Sequence, residues 1–262
     1  MFFSADHSVL TLAQCACVAL PAAGLPRWAE RFRRSWWALI VPGSIVVVIG
    51  GIELAPGTAD VLTWVALILV PIGGALALGW AMHGARPWLA VLAVPLLAVA
   101  WASQDTRAGQ LAAILLITGS AITAGRLLAG VAPLMLLKVG VVVMATIDSI
   151  LVFSNNLQPA NAVLVAASPG LGLPRLQSAS WGDWGLGYGD FFIAAVVGAI
   201  LAVERRSQPL AAAVLLPVSI AWDQMFYVQD TIPGTVPSAV VLVGFWAWSR
   251  YRPRTADSAM VA

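Results

Sequence analysis

Gly187-Tyr188-Gly189-Asp190-Phe191-Phe192 opens an apolar helix in the last third of the chain, and Val143-Met144-Ala145-Thr146-Ile147-Asp148-Ser149-Ile150 carries a second acid inside an earlier one. A carboxylate within a membrane helix costs roughly 2.5–3.5 kcal/mol on insertion scales, so two of them call for a reason. The simplest reason is that they face each other and share a proton, as the two acids of an aspartyl hydrolase do. One member then acts as base toward water while the other donates to a carbonyl oxygen.

The rest of the chain provides the membrane. Of 262 residues, 60% are hydrophobic and 10% charged, against about 25% charged in soluble domains, and the mean hydropathy is +0.89. The net charge is +2 and the arginines sit in short clusters beside apolar segments rather than in one patch, which gives nucleic-acid binding no support. Cys15 and Cys17 lie in the first apolar helix and read as packing residues rather than a disulfide or a metal site. Thirteen Arg against one Lys, with abundant Ala, lean toward a GC-rich prokaryote and a multi-pass protein of its plasma membrane. Met1–His7 lacks a positive n-region, so no cleavable signal peptide is expected.

Nine apolar segments of spanning character lie near 8–25, 36–54, 59–82, 87–103, 108–128, 131–153, 189–204, 209–228 and 234–249, where about 17–25 residues cross a bilayer. Only 154–188 is a long polar connection, and Asn155-Asn156 reads as the stop of the sixth helix. Alternate connections give one side Arg27, Arg31, Arg33, Arg34, Arg86, Arg126, Arg205, Arg206, Arg250, Arg252 and Arg254, and the other side Arg107 and Arg175 with Asp6, Asp60, Asp105, Asp183 and Asp230. The positive-inside rule then puts the N-terminus and the 154–188 loop outside and the C-terminus inside. Trp28, Trp36, Trp37, Trp88, Trp101, Trp222, Trp246 and Trp248 fall near segment ends, as an interfacial belt does. The expected fold is thus an all-α polytopic bundle: helices one to five in 1–130, and helices six to nine with the outer loop in 131–262.

Asp148 is about five residues from the outer end of the sixth segment, on the order of 7–8 Å deep. Asp190 enters the seventh from the same side, so the two reach similar depth if these helices are neighbours. Capping is a competing reading for Asp190, which follows glycines at a helix start; for Asp148, mid-helix, it is poor. Gly185, Gly187 and Gly189 permit close backbone approach beside a reacting group.

On these residues the chain resembles the intramembrane aspartyl proteases of the presenilin and signal peptide peptidase superfamily. That family has nine helices, one catalytic Asp in helix six and a second in a GxGD motif opening helix seven. Ile147-Asp148 stands where the family has Tyr-Asp, and Gly187-Tyr188-Gly189-Asp190 matches its Gly-Leu-Gly-Asp. Gly234-Thr235-Val236, followed by Pro237, stands for its Pro-Ala-Leu at the start of helix nine. Leu173-Pro174-Arg175-Leu176-Gln177 looks like its Pro-x-Lys-Leu segment, an extended strand against which substrate pairs. The resemblance covers roughly 131–249. It implies a presenilin-like bundle that cleaves peptide bonds within transmembrane helices, with Asp148 and Asp190 catalytic. Gly187, Tyr188, Gly189, 173–177 and 234–237 would lie against substrate. The chemistry needs water but no metal and no cofactor. Partners are transmembrane-helix substrates and the bilayer, with self-association left open.

The orientation matches signal peptide peptidase and is inverted relative to presenilin, which points to type II membrane proteins or remnant signal peptides as substrates. Two alternatives stay open: a catalytically inactive helix-binding homologue, and a proton-coupled transporter using buried Asp residues. The second lacks the related halves that transporters commonly show. Asp223 reads as an interface acid or a third functional one, Lys138 as a snorkelling side chain, and Glu53 and Glu204 as interface residues.

Overall fold

The computed structural model describes residues 5–25, 31–55, 57–154, 157–229 and 231–251. Arg27, Trp28, Asn155, Asn156, Asp230, Arg252 and Arg254 lie outside the described residues. Helix α1 spans Ala5–Ala19, α2 Ile40–Leu54, α3 Thr58–Leu76, α4 Ala93–Ala102, α5 Arg107–Val131, α6 Leu134–Phe153 and α7 Leu157–Ala166. Strands β1 (Ser178–Trp181) and β2 (Trp184–Gly187) follow, then α8 (Tyr188–Val203), α9 (Gln208–Asp223) and α10 (Val236–Tyr251).

Five helical stretches, Ser35–Leu54, Thr58–Ala81, Arg107–Val131, Leu134–Phe153 and Gln208–Tyr227, are long and apolar enough to cross a membrane. Shorter apolar helices occupy Ser8–Ala19, Pro87–Ala102, Tyr188–Val203 and Val236–Trp248, the other four places where the hydropathy pattern expects one. Helices α2, α3 and α4 expose Val47, Ile68 and Val94, apolar side chains of the kind that lipid covers. The chain is a helical membrane protein.

Helix α8 is the centre of the bundle, and its sequence says why. Phe191 to Ala202 carries no polar side chain and every residue of that run is buried; a helix apolar all round has no solvent or lipid face to offer. Small residues bring its neighbours close, as in other membrane bundles. A Cβ at Gly125 of α5 would lie 2.6 Å from the Ala195 carbonyl carbon, and one at Gly198 would lie 2.5 Å from the Val18 carbonyl oxygen of α1. Helices from the first half of the chain therefore enclose the helix that carries Asp190. Its C-terminal end closes in a Schellman turn: the Arg206 N–H reaches Leu201 O at 2.8 Å and the Arg205 N–H reaches Ala202 O at 3.1 Å, with Arg205 at φ 56.

The 154–188 connection is more ordered than its composition suggests. Leu157–Ala166 forms α7, apolar but far too short to span. Beyond it β1 and β2 pair antiparallel with Trp181 opposite Trp184, so Gly182-Asp183 is a two-residue turn with Gly182 at φ 62, where a hairpin demands glycine. The hairpin adds a small β element to a fold expected to be all-α. The tryptophans divide as well: Trp36, Trp88, Trp101 and Trp248 are exposed, whereas the Trp222 indole N–H donates inward to Pro233 O at 3.0 Å.

Candidate active site

Asp190 is the third residue of α8, after Gly187 as N-cap, Tyr188 and Gly189. From that position a carboxylate can reach back to the N-cap N–H, which is half of a capping box, and Asp190 Oδ2 lies 3.5 Å from where a Gly187 Cβ would stand. A capping role for Asp190 thus leaves its other flank free of the helix start.

The start of α8 is held on three sides. Strand β2 runs into it without a linker, ending at Gly187 where α8 begins at Tyr188. The hairpin tip is pinned to α5, with the Gly182 N–H donating to Gln110 Oε1 at 3.1 Å and the Arg107 guanidinium 4.9 Å from the Trp181 ring centroid. Trp184 meets Phe226 edge-on at 5.3 Å, beyond the end of α9. Tyr188 points inward, its hydroxyl 3.0 Å from Ser120 Oγ on α5.

Asp148 is buried near the C-terminal end of α6. Its backbone neighbours are committed to helix bonds, so its partners must come from elsewhere. They come from the segment before α10: Thr235 Oγ1 donates to Asp148 Oδ2 at 2.6 Å, and the Thr235 backbone N–H also bonds the carboxylate. One residue earlier, Gly234 presses on the other acid. A Cβ at Gly234 would lie 2.7 Å from both Cγ and Oδ1 of Asp190. Adjacent residues of one turn therefore touch the two carboxylates.

Burial is unequal across the pair. Asp148 is buried, whereas Asp190 and Gly234 are only partly covered and Gly187 and Gly189 are exposed. No atom outside the local helix lies within 4 Å of where a Gly189 Cβ would stand. The pair is reached from the glycine side of Asp190.

The motif residues separate into two groups. Gly187, Tyr188, Gly189, Gly234 and Thr235 gather around the acids, and Val236 and Pro237 form the first turn of α10. The segment 173–177 does not join them as an extended pairing surface. Pro174, Leu176 and Gln177 are buried, Gln177 donates to Ala167 O at 3.1 Å, and only Leu173 and Arg175 retain exposure. The extended backbone lies just downstream, in β1 and β2. Leu176 and Gln177 turn inward because β1 needs an anchor into the core below α7.

Several contributors carry no motif. Trp222 holds Pro233, and so the turn that contains Gly234 and Thr235, through its indole N–H. Ser120 and Gln110 tie α8 and its hairpin to α5. Lys138 and Glu204 do not separate to the interface but pair with each other at 2.5 Å, with the Lys138 ammonium 5.8 Å from the Trp246 ring. The only sequence signal for that pair is that both are charged residues at the inner ends of apolar segments. Among the described residues, no group of three or more His, Cys, Asp or Glu side chains is placed to hold a metal. No family model, curated protein or solved structure matches the chain.

Proposed function

We propose that the chain is an intramembrane aspartyl endopeptidase of the presenilin and signal peptide peptidase kind, cleaving peptide bonds inside transmembrane helices. One observation carries the reading: Gly234 and Thr235, consecutive residues ahead of α10, contact Asp190 and Asp148 respectively. Acids that served only local structure would have no cause to meet at a shared turn formed by a third element.

The chemistry is that of two carboxylates and a water. One acid takes a proton from water as its oxygen attacks the scissile carbonyl carbon, and the other donates its proton to the carbonyl oxygen. Collapse of the gem-diol returns a proton to the second acid and passes the first acid's proton to the leaving amine. A helical substrate hides its carbonyls in its own hydrogen bonds, so cleavage requires local unwinding with new backbone partners. Strand β2 ends three residues before Asp190, and strand addition along it would deliver a carbonyl to the pair. That role falls to 184–187 rather than to 173–177.

In this reading the nine apolar helices all span the plasma membrane of a prokaryote, with the N-terminus and the hairpin outside. The substrates are type II helices or remnant signal peptides. The test is cleavage by purified, reconstituted protein of single-helix reporters offered in both orientations. Cut products from the type II reporter alone are expected. Cleavage of type I reporters only would overturn the substrate assignment, and intact reporters of both kinds would overturn the protease.

A further inference from the structure

We infer that Thr235 is a positioning residue that gives the two acids different roles, holding Asp148 as the charged base and leaving the proton on Asp190. The inference rests on the protease reading for its consequence in catalysis, but its physical content concerns the acids themselves.

The two carboxylates differ in exposure, Asp148 being buried and Asp190 partly covered. Both sit against a helix N-terminus, where the dipole favours negative charge: Asp190 in the first turn of α8, Asp148 beside Thr235 ahead of α10. The Thr235 hydroxyl distinguishes them further. Its 2.6 Å distance to Asp148 Oδ2 is in the range of a charge-assisted O–H···O⁻ bond. Asp190 has the Gly234 methylene on the corresponding side, with no room for a side chain between them.

Among the described residues few other charges stand on the neighbouring elements, and on α9, which packs against α8 and α10, Asp223 is the one ionisable residue. On the elements that pack around α6, α2 carries only Glu53, exposed at its end, α7 carries no ionisable residue, and α10 has Arg250 and Tyr251 at its far end. Tyr188 on α8 is engaged with Ser120. The division of labour follows: water gives its proton to Asp148, and the substrate carbonyl oxygen takes its proton from Asp190. When the amine leaves, Asp148 passes its proton to the nitrogen and Asp190 takes one back from the gem-diol.

Infrared difference spectra of the purified protein read which acid carries the proton, without reference to activity. The protonated-carboxyl band is expected to vanish in Asp190→Asn and to persist in Asp148→Asn. With Thr235→Val in the background, Asp190→Asn should no longer remove it completely. A wild-type band removed by Asp148→Asn instead would overturn the inference. In reporter cleavage, Thr235→Val is expected to lose about 10- to 100-fold in kcat with KM changed less than about twofold, and Thr235→Ser to recover most of it. Unfolding temperatures of both variants within about 2 °C of wild type exclude a folding defect. Equal kcat in Thr235→Val and wild type would also overturn it. Absence of cleavage in wild type, with the infrared assignment intact, would remove the protease reading and leave the proton assignment standing.

Discussion

Lys138 Nζ and Glu204 Oε1 lie 2.5 Å apart, joining α6 to α8 at the ends opposite Asp148 and Asp190. The ring of Trp246 on α10 lies 5.8 Å from the same ammonium. The three helices that meet at the acids are thus fastened a second time at their opposite ends.

The pair is unequally exposed: the Lys138 side chain is 8% accessible and that of Glu204 28%. Removing the partner of the more buried charge is the costlier change. Glu204→Gln is expected to destabilise by about 3 kcal/mol and Lys138→Met by clearly less. Unfolding in detergent by denaturant titration measures both. Equal small effects would mean that the pair is solvent-screened and structurally idle.

Gly234→Ala tests the turn that touches Asp190. A methyl group there would lie 2.7 Å from the carboxylate carbon, so either Asp190 or the turn must move. A displacement of about 1 Å at a reacting group can cost on the order of 100-fold in rate. Cleavage should fall by at least about that factor while the thermal transition is retained. Full activity in this variant would separate the turn from the site.

Close helix contact at Gly198 predicts a sensitivity that hydropathy does not. Gly198→Ala places a methyl 2.5 Å from Val18 O and should destabilise by about 1–3 kcal/mol through overpacking between α1 and α8. Gly244→Ala, with no atom within 4 Å of the new methyl, should be neutral or stabilising by up to about 1 kcal/mol. Similar stability changes in the two variants would contradict the packing described.

Arg205 occupies the left-handed position of the turn that ends α8, at φ 56. A side chain there costs about 1–2 kcal/mol that glycine avoids. Arg205→Gly should therefore raise the unfolding free energy by about 1 kcal/mol. A fall would mean that the arginine side chain makes a compensating contact.

Much of this was legible in the sequence, and the parts that were not share a cause. Hydropathy locates the apolar helices because lipid demands continuous runs of apolar residues, and the acids stand out because such runs exclude them. Ser207 and Thr106 cap the starts of α9 and α5, accepting from Leu210 N and Gly109 N, a role that went unread in the sequence. The hairpin was obscured because its core-facing residues, Ala179, Trp181, Trp184 and Leu186, alternate with Ser and Gly and so average to a polar loop. Segment 173–177 looks exposed by composition, yet Leu176 is fully buried, since a loop that anchors a strand must enter the core somewhere. The roles of Thr235 and Trp222 depend on which turn arrives beside which helix, and spacing along a chain does not encode that.

The most direct test of the central claim compares cleavage of one reporter helix by wild type, Asp148→Asn, Asp190→Asn and the double variant, all reconstituted in the same lipid. Two acids acting as one unit lose nearly all activity when either is removed, and the second removal adds little. The account predicts product from wild type alone, with both single variants as inactive as the double. Retained cleavage in either single variant, at more than a few per cent of wild type, would contradict it.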